Sequence, residues 1–92
     1  MSYELEFSKN ALNDIKKHKK AGDRATLKKI EKLLNELMEH PRSGTGKPEE
    51  LKHNLVGFFS RRINKKDRLV YSINDKTVVV YVVSASLHYG QK

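Results

Sequence analysis

The hydrophobic pattern of this chain changes its period once, and this change limits the possible folds more than any other feature. Between residues 9 and 39 the apolar side chains recur three and four positions apart, as they do on one face of an α-helix. From residue 58 to residue 84 they alternate or run continuously, as in β-strands. A segment rich in glycine and proline, residues 41–48, separates the two patterns. This order predicts an α+β domain with its helices packed on one face of a mostly antiparallel sheet.

A short strand and a first helix are predicted at the start of the chain. Residues 3–7 alternate apolar and charged side chains, which is typical of a half-buried strand. Ser8 is a suitable N-cap for a helix over residues 9–20, because its hydroxyl can accept a hydrogen bond from a free N–H of the first turn. We expect Leu12 and Ile15 to face the core from this helix.

A second helix follows directly, so that the two helices are expected to form a hairpin. Gly22 suits the left-handed position that ends the first helix, and Asp23 can cap the second. The second helix should end near residue 39, because the residue before Pro41 avoids the helical conformation. Its apolar stripe consists of Leu27, Ile30, Leu33, Leu34, Leu37 and Met38.

The second half of the chain predicts a meander of three or four strands, which with the first strand makes a four- to five-stranded sheet. The predicted strands cover residues 50–54, 58–63, 68–73 and 77–84. A tight turn over residues 74–76 precedes the last of them. Residues 78–83 form the longest apolar run, so we expect the last strand to be internal and covered on both faces.

Size and composition narrow the class of protein. Ninety-two residues suffice for one small domain, residues 1–92, and leave no room for a second. The absence of cysteine excludes disulfides, thiolate metal sites and thiol catalysis. The longest apolar run has six residues, whereas a membrane-spanning helix needs roughly 20. The first six residues carry acidic charge and no apolar signal core, which predicts a cytoplasmic protein that does not enter a membrane.

The charge of the chain is strongly positive and unevenly distributed. The formal net charge is +8. Residues 1–39 have nine Lys and Arg against seven Asp and Glu, a net +2, whereas residues 40–92 have ten against four, a net +6. A basic half on a small domain is typical of proteins that bind nucleic acid or an acidic protein segment. We therefore expect an anionic partner.

The sequence predicts neither a metal site nor a cofactor. The four histidines lack the paired spacing of metal ligands, and no acidic loop resembles a calcium or magnesium motif. The segment 44–48 contains glycine and lysine but not the spacing of a phosphate-binding loop, and it leads into proline and strand. A chemical function must therefore rest on side chains alone.

RNA cleavage is one reaction that side chains can carry out without a metal. It needs a base for the 2′-hydroxyl, an acid for the departing 5′-oxygen, and a cation for the charge on phosphorus. Glu49, His88 and Arg68 have the required chemistry if the sheet brings them together. Otherwise Arg68 is expected to pair with Asp67 or Asp75 at the surface.

Several segments of the second half carry a more specific signal. The run Gly-Lys-Pro-Glu-Glu-Leu-Lys-His-Asn-Leu at residues 46–55 is followed by Ser-Arg-Arg-Ile at residues 60–63, Arg-Leu-Val-Tyr at residues 68–71 and a closing His-Tyr at residues 88–89. In order and spacing these segments resemble the YoeB/Txe family of the RelE/ParE-like toxin superfamily. The match covers residues 46–89 closely, and the first half of the chain agrees in layout more than in residues.

This resemblance implies a fold, an activity and partners. The implied fold is the RelE-like toxin fold, and the implied activity is that of a ribosome-dependent endoribonuclease that cuts messenger RNA in the decoding site. The implied partners are a YefM/Phd-type antitoxin, the ribosome with its message, and a second copy of the chain. Residue by residue, the resemblance implies that Glu49 is the general base, Arg68 the phosphate-stabilising cation and His88 the general acid.

The resemblance also implies substrate-binding residues and shows one departure from the family pattern. Tyr89 corresponds to a stacking or positioning residue. Basic positions lining the site correspond to Lys52, His53 and Arg62. Many relatives have an arginine two residues before the closing histidine, where this chain has Ser86. Arg61 or Arg62 is a candidate to replace that cation.

Three alternatives remain open from the residues alone. The roles of Glu49 and His88 can be exchanged, or His53 can share them, because a carboxylate is a weak base at neutral pH. The chain can be a non-catalytic ParE-like relative that binds gyrase. It can also be a module that binds RNA or the ribosome through its basic face without cutting.

Overall fold

A computed structural model describes residues 2–52 and 55–85 of the chain. The described elements run β1 Glu4–Phe7, α1 Lys9–Lys20, α2 Arg24–Glu39, β2 Glu49–Glu50, β3 Phe58–Arg62, β4 Arg68–Asn74 and β5 Val79–Ser84. The two helices are consecutive and the last four strands follow them, which confirms the predicted order of elements. Among the described residues, no helix has the length and apolar character needed to cross a membrane.

The five strands form one mixed sheet. Its order is β1-β5-β4-β3-β2, with β1 parallel to β5 and all other neighbours antiparallel. Both helices pack on the same face of this sheet, and among the described residues no helix covers the other face, which we call the open face. The predicted α+β class, with a helical hairpin on a mostly antiparallel sheet, is confirmed. The buried core of this layer includes Ala11, Ile30, Leu33, Leu37, Leu69, Tyr71, Val80 and Val82.

The helix ends follow the local sequence signals. Ser8 accepts a hydrogen bond at its Oγ from the N–H of Ala11 at 3.0 Å. Asp23 accepts one from the N–H of Thr26 at 3.1 Å. Gly22 has a φ of +71°, a conformation that costs a residue with a Cβ much more than glycine. Ser8 thus fixes the start of α1, and Gly22 and Asp23 form the short connection between α1 and α2.

Two expectations about the helices' apolar faces need revision. Leu12 is 54% exposed, and Ala11 takes the buried position of α1 instead, because the helix lies close enough to β5 that a small side chain is needed there. In α2 the stripe is centred on Ile30, Leu33 and Leu37, which are fully buried, whereas Leu27 and Leu34 are only partly buried.

The strand boundaries and the covering of the last strand also differ from the prediction. The strand expected over residues 50–54 is the two-residue strand β2, Glu49–Glu50. The last strand begins at Val79 rather than residue 77, because the turn extends through Val78, which has a φ of +58°. Strand β5 is internal, as expected, but its second face is not covered along its whole length, because Tyr81 is 41% exposed there.

A bulge near the end of β5 changes which face its side chains occupy. Val82 of β5 pairs with Tyr71 of β4. The neighbouring residue of β4, Val70, pairs with Ser84, so Val83 is the extra residue of β5. A bulge of this kind reverses the alternation of side chains beyond it. Ser84 consequently lies on the open face, and Ala85 lies in the core on the helical face.

Candidate active site

Polar residues from three neighbouring strands meet on the open face of the sheet. Glu49 on β2 lies opposite Ser60 on β3, and Ser60 lies opposite Val70 on β4. Residues directly opposite in antiparallel strands share a face, and so do alternate residues of one strand. Arg62, two residues from Ser60, therefore lies on this face opposite Arg68, two residues before Val70. The register places Glu49, Arg62 and Arg68 on one surface, which we call the open-face site.

Glu49 and Arg68 are close enough to act on one group. The Nη1 atom of Arg68 is 3.8 Å from the Oε1 atom of Glu49. This separation gives an ionic attraction but exceeds the length of a hydrogen bond. A ligand oxygen beside the pair could therefore lie within hydrogen-bond distance of both groups. The Arg68 side chain is 15% exposed and the Glu49 side chain 66% exposed. The sheet thus brings together two of the three residues singled out for chemistry.

The alternative pairing of Arg68 with Asp75 is wrong. Asp75 instead accepts two hydrogen bonds from Arg42, at 3.2 and 2.8 Å, on another part of the surface. Those hydrogen bonds, together with one from the hydroxyl of Tyr3, lower the pKa of the Asp75 carboxyl below its ordinary value. Arg68 makes its ion pair with Glu49.

The open-face site concentrates positive charge. Arg62 and Arg68 are directly opposite each other on adjacent strands, and like charges at such positions repel. Arg62 is exposed, as is Lys52, which follows β2 by two residues. A bound phosphate would relieve the repulsion between the two guanidinium groups, and Arg in particular suits phosphate recognition. The arrangement fits an anionic ligand better than an unoccupied surface.

Arg61 is not a substrate-binding residue in this structure, which corrects the sequence-based expectation. Its side chain is fully buried on the helical face. Nε donates to the hydroxyl of Tyr71 at 3.0 Å, and Nη1 donates to Oε1 of Glu36 at 3.0 Å. The remaining donors bind the backbone carbonyl oxygens of His40, Ser43 and Thr45. All five guanidinium N–H groups are therefore engaged, and none is available to replace the family's missing arginine.

Arg61 instead holds the loop that leads into the site. The three carbonyl groups that it binds belong to residues 40–45, and Gly46 then accepts a hydrogen bond from the N–H of Arg62 at 2.8 Å. Gly46 has a φ of +83°, and a Cβ there would lie 2.8 Å from the carbonyl oxygen of Arg62. Only glycine allows this close approach. The loop is thereby fixed against β3 three residues before Glu49.

The acidic partner of Arg61 is a residue that was not predicted from the sequence. Glu36 accepts hydrogen bonds from the hydroxyl of Thr45 at 2.6 Å and from its N–H at 2.8 Å. These hydrogen bonds, with the charge of Arg61, lower the pKa of the Glu36 carboxyl, although burial acts in the opposite direction. No local motif connects residues 36, 45 and 61, so the sequence offered no signal for this cluster. Tyr71 is fully buried in the core, and this burial raises the pKa of its hydroxyl.

Four positions of the predicted site lie outside the described residues. They are His53, Ser86, His88 and Tyr89. The roles that the family resemblance implies for His53, His88 and Tyr89 therefore stay predictions. Within residues 2–52 and 55–85, no group of three or more histidine and acidic side chains is arranged to hold a metal ion.

Comparison with known proteins identifies the family of the chain. The family described as "YoeB-like toxin of bacterial type II toxin-antitoxin system" matches residues 7–89. The chain belongs to this family. Within it, Toxin YoeB of Escherichia coli K12 is 43% identical over 67 residues, which cover 73% of this chain and 77% of that protein. The recognition of a YoeB/Txe toxin from residues 46–89 is confirmed.

Solved structures of the family share the complete fold. A YoeB dimer from Staphylococcus aureus superposes with a TM-score of 0.83 at 38% identity and covers 97% of this chain and 100% of its own. A YoeB–YefM complex from the same organism gives a TM-score of 0.81 at 37% identity, with the same coverage. The RelE-like toxin fold expected from the sequence is thus confirmed across nearly the whole chain.

Proposed function

We propose that this toxin is a ribosome-dependent endoribonuclease that cuts messenger RNA without a metal. The observation that carries the proposal is the approach of Arg68 to Glu49, 3.8 Å apart on a face of the sheet that no helix covers. A carboxylate and a guanidinium at this distance can contact the 2′-hydroxyl and the neighbouring phosphate of one nucleotide. Their register with Arg62 extends the positive surface along the RNA backbone.

The reaction follows from the chemistry of these groups. The Glu49 carboxylate accepts the proton of the 2′-hydroxyl, whose oxygen then attacks the adjacent phosphorus. Arg68 stabilises the additional negative charge on the phosphorane oxygens. The phosphorus–5′-oxygen bond breaks, and the departing oxygen takes a proton from an acid, the role implied for His88. The products are a 2′,3′-cyclic phosphate and a 5′-hydroxyl.

The surrounding residues favour binding of RNA over small anions. Lys52 and Arg62 are exposed beside the reacting pair, and His53 and Tyr89 are the proposed further contacts. Dependence on the ribosome follows from the exposure of Glu49 at 66%, because an open site does little to align a flexible message. The ribosome would hold the 2′-hydroxyl in line with the scissile bond and thereby raise the rate.

The proposed partners are of the same types as those seen in the solved structures of relatives. We expect a YefM/Phd-type antitoxin to bind this chain, as YefM binds the Staphylococcus aureus toxin, and we expect a homodimer, as in the YoeB dimer of that organism. The net charge of +6 on residues 40–92 favours an acidic antitoxin segment. Association should then slow as salt concentration rises, since exposed charges are screened.

A 2′-deoxy substitution tests the proposed reaction directly. Ribosomes are programmed with a message that carries one 2′-deoxy nucleotide on the 5′ side of the cleaved phosphate, and cleavage is followed in a single turnover. Cleavage at that bond should stop because the nucleophile is missing. A message with the deoxy nucleotide on the 3′ side of the same phosphate is the control and should be cut normally. Efficient cleavage of the first message would overturn the mechanism.

Substitution of neighbouring glutamates tests the role of Glu49. Glu49→Gln should lower the single-turnover rate about 10²–10⁴-fold, the range typical of a lost proton-transfer group. Glu50→Gln is the matched control, because Glu50 belongs to the same strand, is exposed and lies opposite Phe59 on the other face. Equal rates for the two variants would remove Glu49 from the reaction.

The same ribosome assay separates the alternative functions. Cleavage products that end in a cyclic phosphate support the endonuclease. A toe-print without cleaved message would indicate a module that binds the ribosome and stalls it. Normal translation together with trapped DNA breaks in a gyrase assay would indicate a ParE-like activity.

A further inference from the structure

Two side chains of α1 hold the last described residue of the chain. The N–H of Ala85 donates to Oδ2 of Asp14 at 3.0 Å. Nε2 of His18 lies 2.9 Å from the carbonyl oxygen of Ala85. A carbonyl oxygen only accepts, so Nε2 carries the proton in this contact. Asp14 and His18 are one helical turn apart and thus present a donor and an acceptor to the same peptide segment.

These contacts take the place of sheet pairing where β5 ends. Strand β5 ends at Ser84, and from there the backbone of Ala85 is satisfied by side chains rather than by a neighbouring strand. Ser8 also binds the end of β5: its Oγ donates to the carbonyl oxygen of Val83 at 2.6 Å, and its N–H donates to the carbonyl oxygen of Val82 at 2.9 Å. Ala85 itself is fully buried, so water does not compete for these bonds.

Because of the bulge at Val83, the hydrogen bonds to Ala85 determine on which face of the sheet its side chain lies. With this bulge, Ser84 lies on the open face and Ala85 on the helical face. A slip of one residue would exchange the faces that Ser84 and Ala85 occupy. Ala85 donates its N–H to Asp14 and accepts from His18 while its side chain lies in the core, so these two bonds favour the observed arrangement over the slipped one.

We propose that Asp14 and His18 are positioning residues that fix the direction in which the backbone leaves the sheet at Ala85, and that cleavage with His88 as the acid depends on this direction. This inference rests on the endonuclease function proposed above. Neither side chain contacts the open-face site, since both lie on α1, on the opposite side of the sheet. Their effect on the reaction is therefore indirect and acts through the backbone of Ala85.

The cleavage test uses one disruptive and one conservative substitution at each position. Asp14→Ala and His18→Ala should lower the single-turnover rate on saturating ribosomes by about 10–100-fold, the effect of displacing a reacting group by about 1 Å. Ribosome binding should not change. Asp14→Asn keeps an acceptor and His18→Gln keeps a donor at similar reach, so both should restore most of the rate. His40→Ala, at an exposed histidine, is the control for loss of an imidazole.

A second readout does not depend on cleavage. In nuclear magnetic resonance spectra, the amide of Ala85 should exchange with solvent slowly in the wild-type chain and at least 10-fold faster in Asp14→Ala. The ring signals of His88 should shift in Asp14→Ala and His18→Ala and return in Asp14→Asn and His18→Gln. If Asp14→Ala fails to fold, His18→Ala alone carries the test, because it leaves the Asp14 bond in place.

The two readouts distinguish the two hypotheses. If the wild-type chain does not cut messages, the proposed function fails, and the exchange of the Ala85 amide and the His88 signals still decide the positioning role. If the wild-type chain cuts messages and both alanine variants cut equally fast, the positioning role is overturned while the function stands. Unchanged His88 signals in both alanine variants would also overturn it.

Discussion

Two arginines on neighbouring strands illustrate how the same side chain serves different ends on the two faces of the sheet. Arg61 on β3 points to the helical face, is fully buried and uses all five N–H groups within the fold. Arg68 on β4 lies on the open face, where its Nη1 atom is 3.8 Å from the Glu49 carboxylate. The first is a structural anchor, and the second retains most of its capacity to bind a ligand.

The difference explains how a small basic domain can hold both a stable loop and an open site. A buried guanidinium is tolerated only when it is paired with an opposite charge and all its donors have acceptors. For Arg61, these partners are Glu36, Tyr71 and three backbone carbonyl groups. Arg62 and Arg68 are opposed on adjacent strands, where like charges repel, and a phosphate bound as proposed above would relieve this repulsion. The anchored loop delivers Glu49 to the edge of this positive surface.

The test with the largest expected effect on this comparison of Arg61 with Arg68 is the removal of the Arg61 side chain. Arg61→Ala should lower the free energy of unfolding by about 3–5 kcal/mol, because it leaves Glu36 and several buried carbonyl groups without their partner. Arg62→Ala, the adjacent arginine on the open face, should change it by less than about 0.5 kcal/mol. Urea denaturation followed by circular dichroism measures both. Similar losses for the two variants would contradict the assignment of Arg61 as the anchor.

The reciprocal test removes the cation of the site. Arg68→Ala should lower the single-turnover cleavage rate by about 10²–10³-fold, because it removes the charge that stabilises the phosphorane. The free energy of unfolding should stay within about 1 kcal/mol of the wild type, since its partner Glu49 is largely exposed. A variant that unfolds more easily but cuts at the normal rate would reverse the roles given to the two arginines.

A smaller change in the free energy of unfolding is expected when the pH is lowered and Glu36 becomes protonated. Hydrogen bonds from Thr45 and the charge of Arg61 lower the pKa of Glu36, so its ionised form stabilises the fold above the ordinary glutamate pKa of about 4.3. This contribution is lost as the pH falls through the lowered folded-state value. The stability difference between the wild type and Glu36→Gln should therefore be largest near neutral pH and shrink below about pH 4. A difference that is independent of pH would show that Glu36 does not act through its charge.

Much of the fold and part of the site could be predicted because the responsible signals are local. Ser8, Gly22 and Asp23 act within a few residues of their own positions, and so the helix ends were predicted correctly. The change of hydrophobic period gave the order of elements for the same reason. The family resemblance, carried by a continuous run around Glu49, pointed to Glu49 and Arg68 before any geometry was available.

The positions that were predicted wrongly depend on partners far along the chain. Arg61 and Arg62 are identical neighbours in the sequence, and only strand pairing shows that one is buried against Glu36 and the other exposed beside Arg68. The exposure of Tyr81 likewise depends on the helices covering a single face. Residue type and spacing specify what a side chain can do. Which of these capacities is used depends on burial and on contacts between residues ten or more positions apart. Desolvation and the available hydrogen-bond partners decide whether a charge stabilises the fold or stays free to bind a ligand.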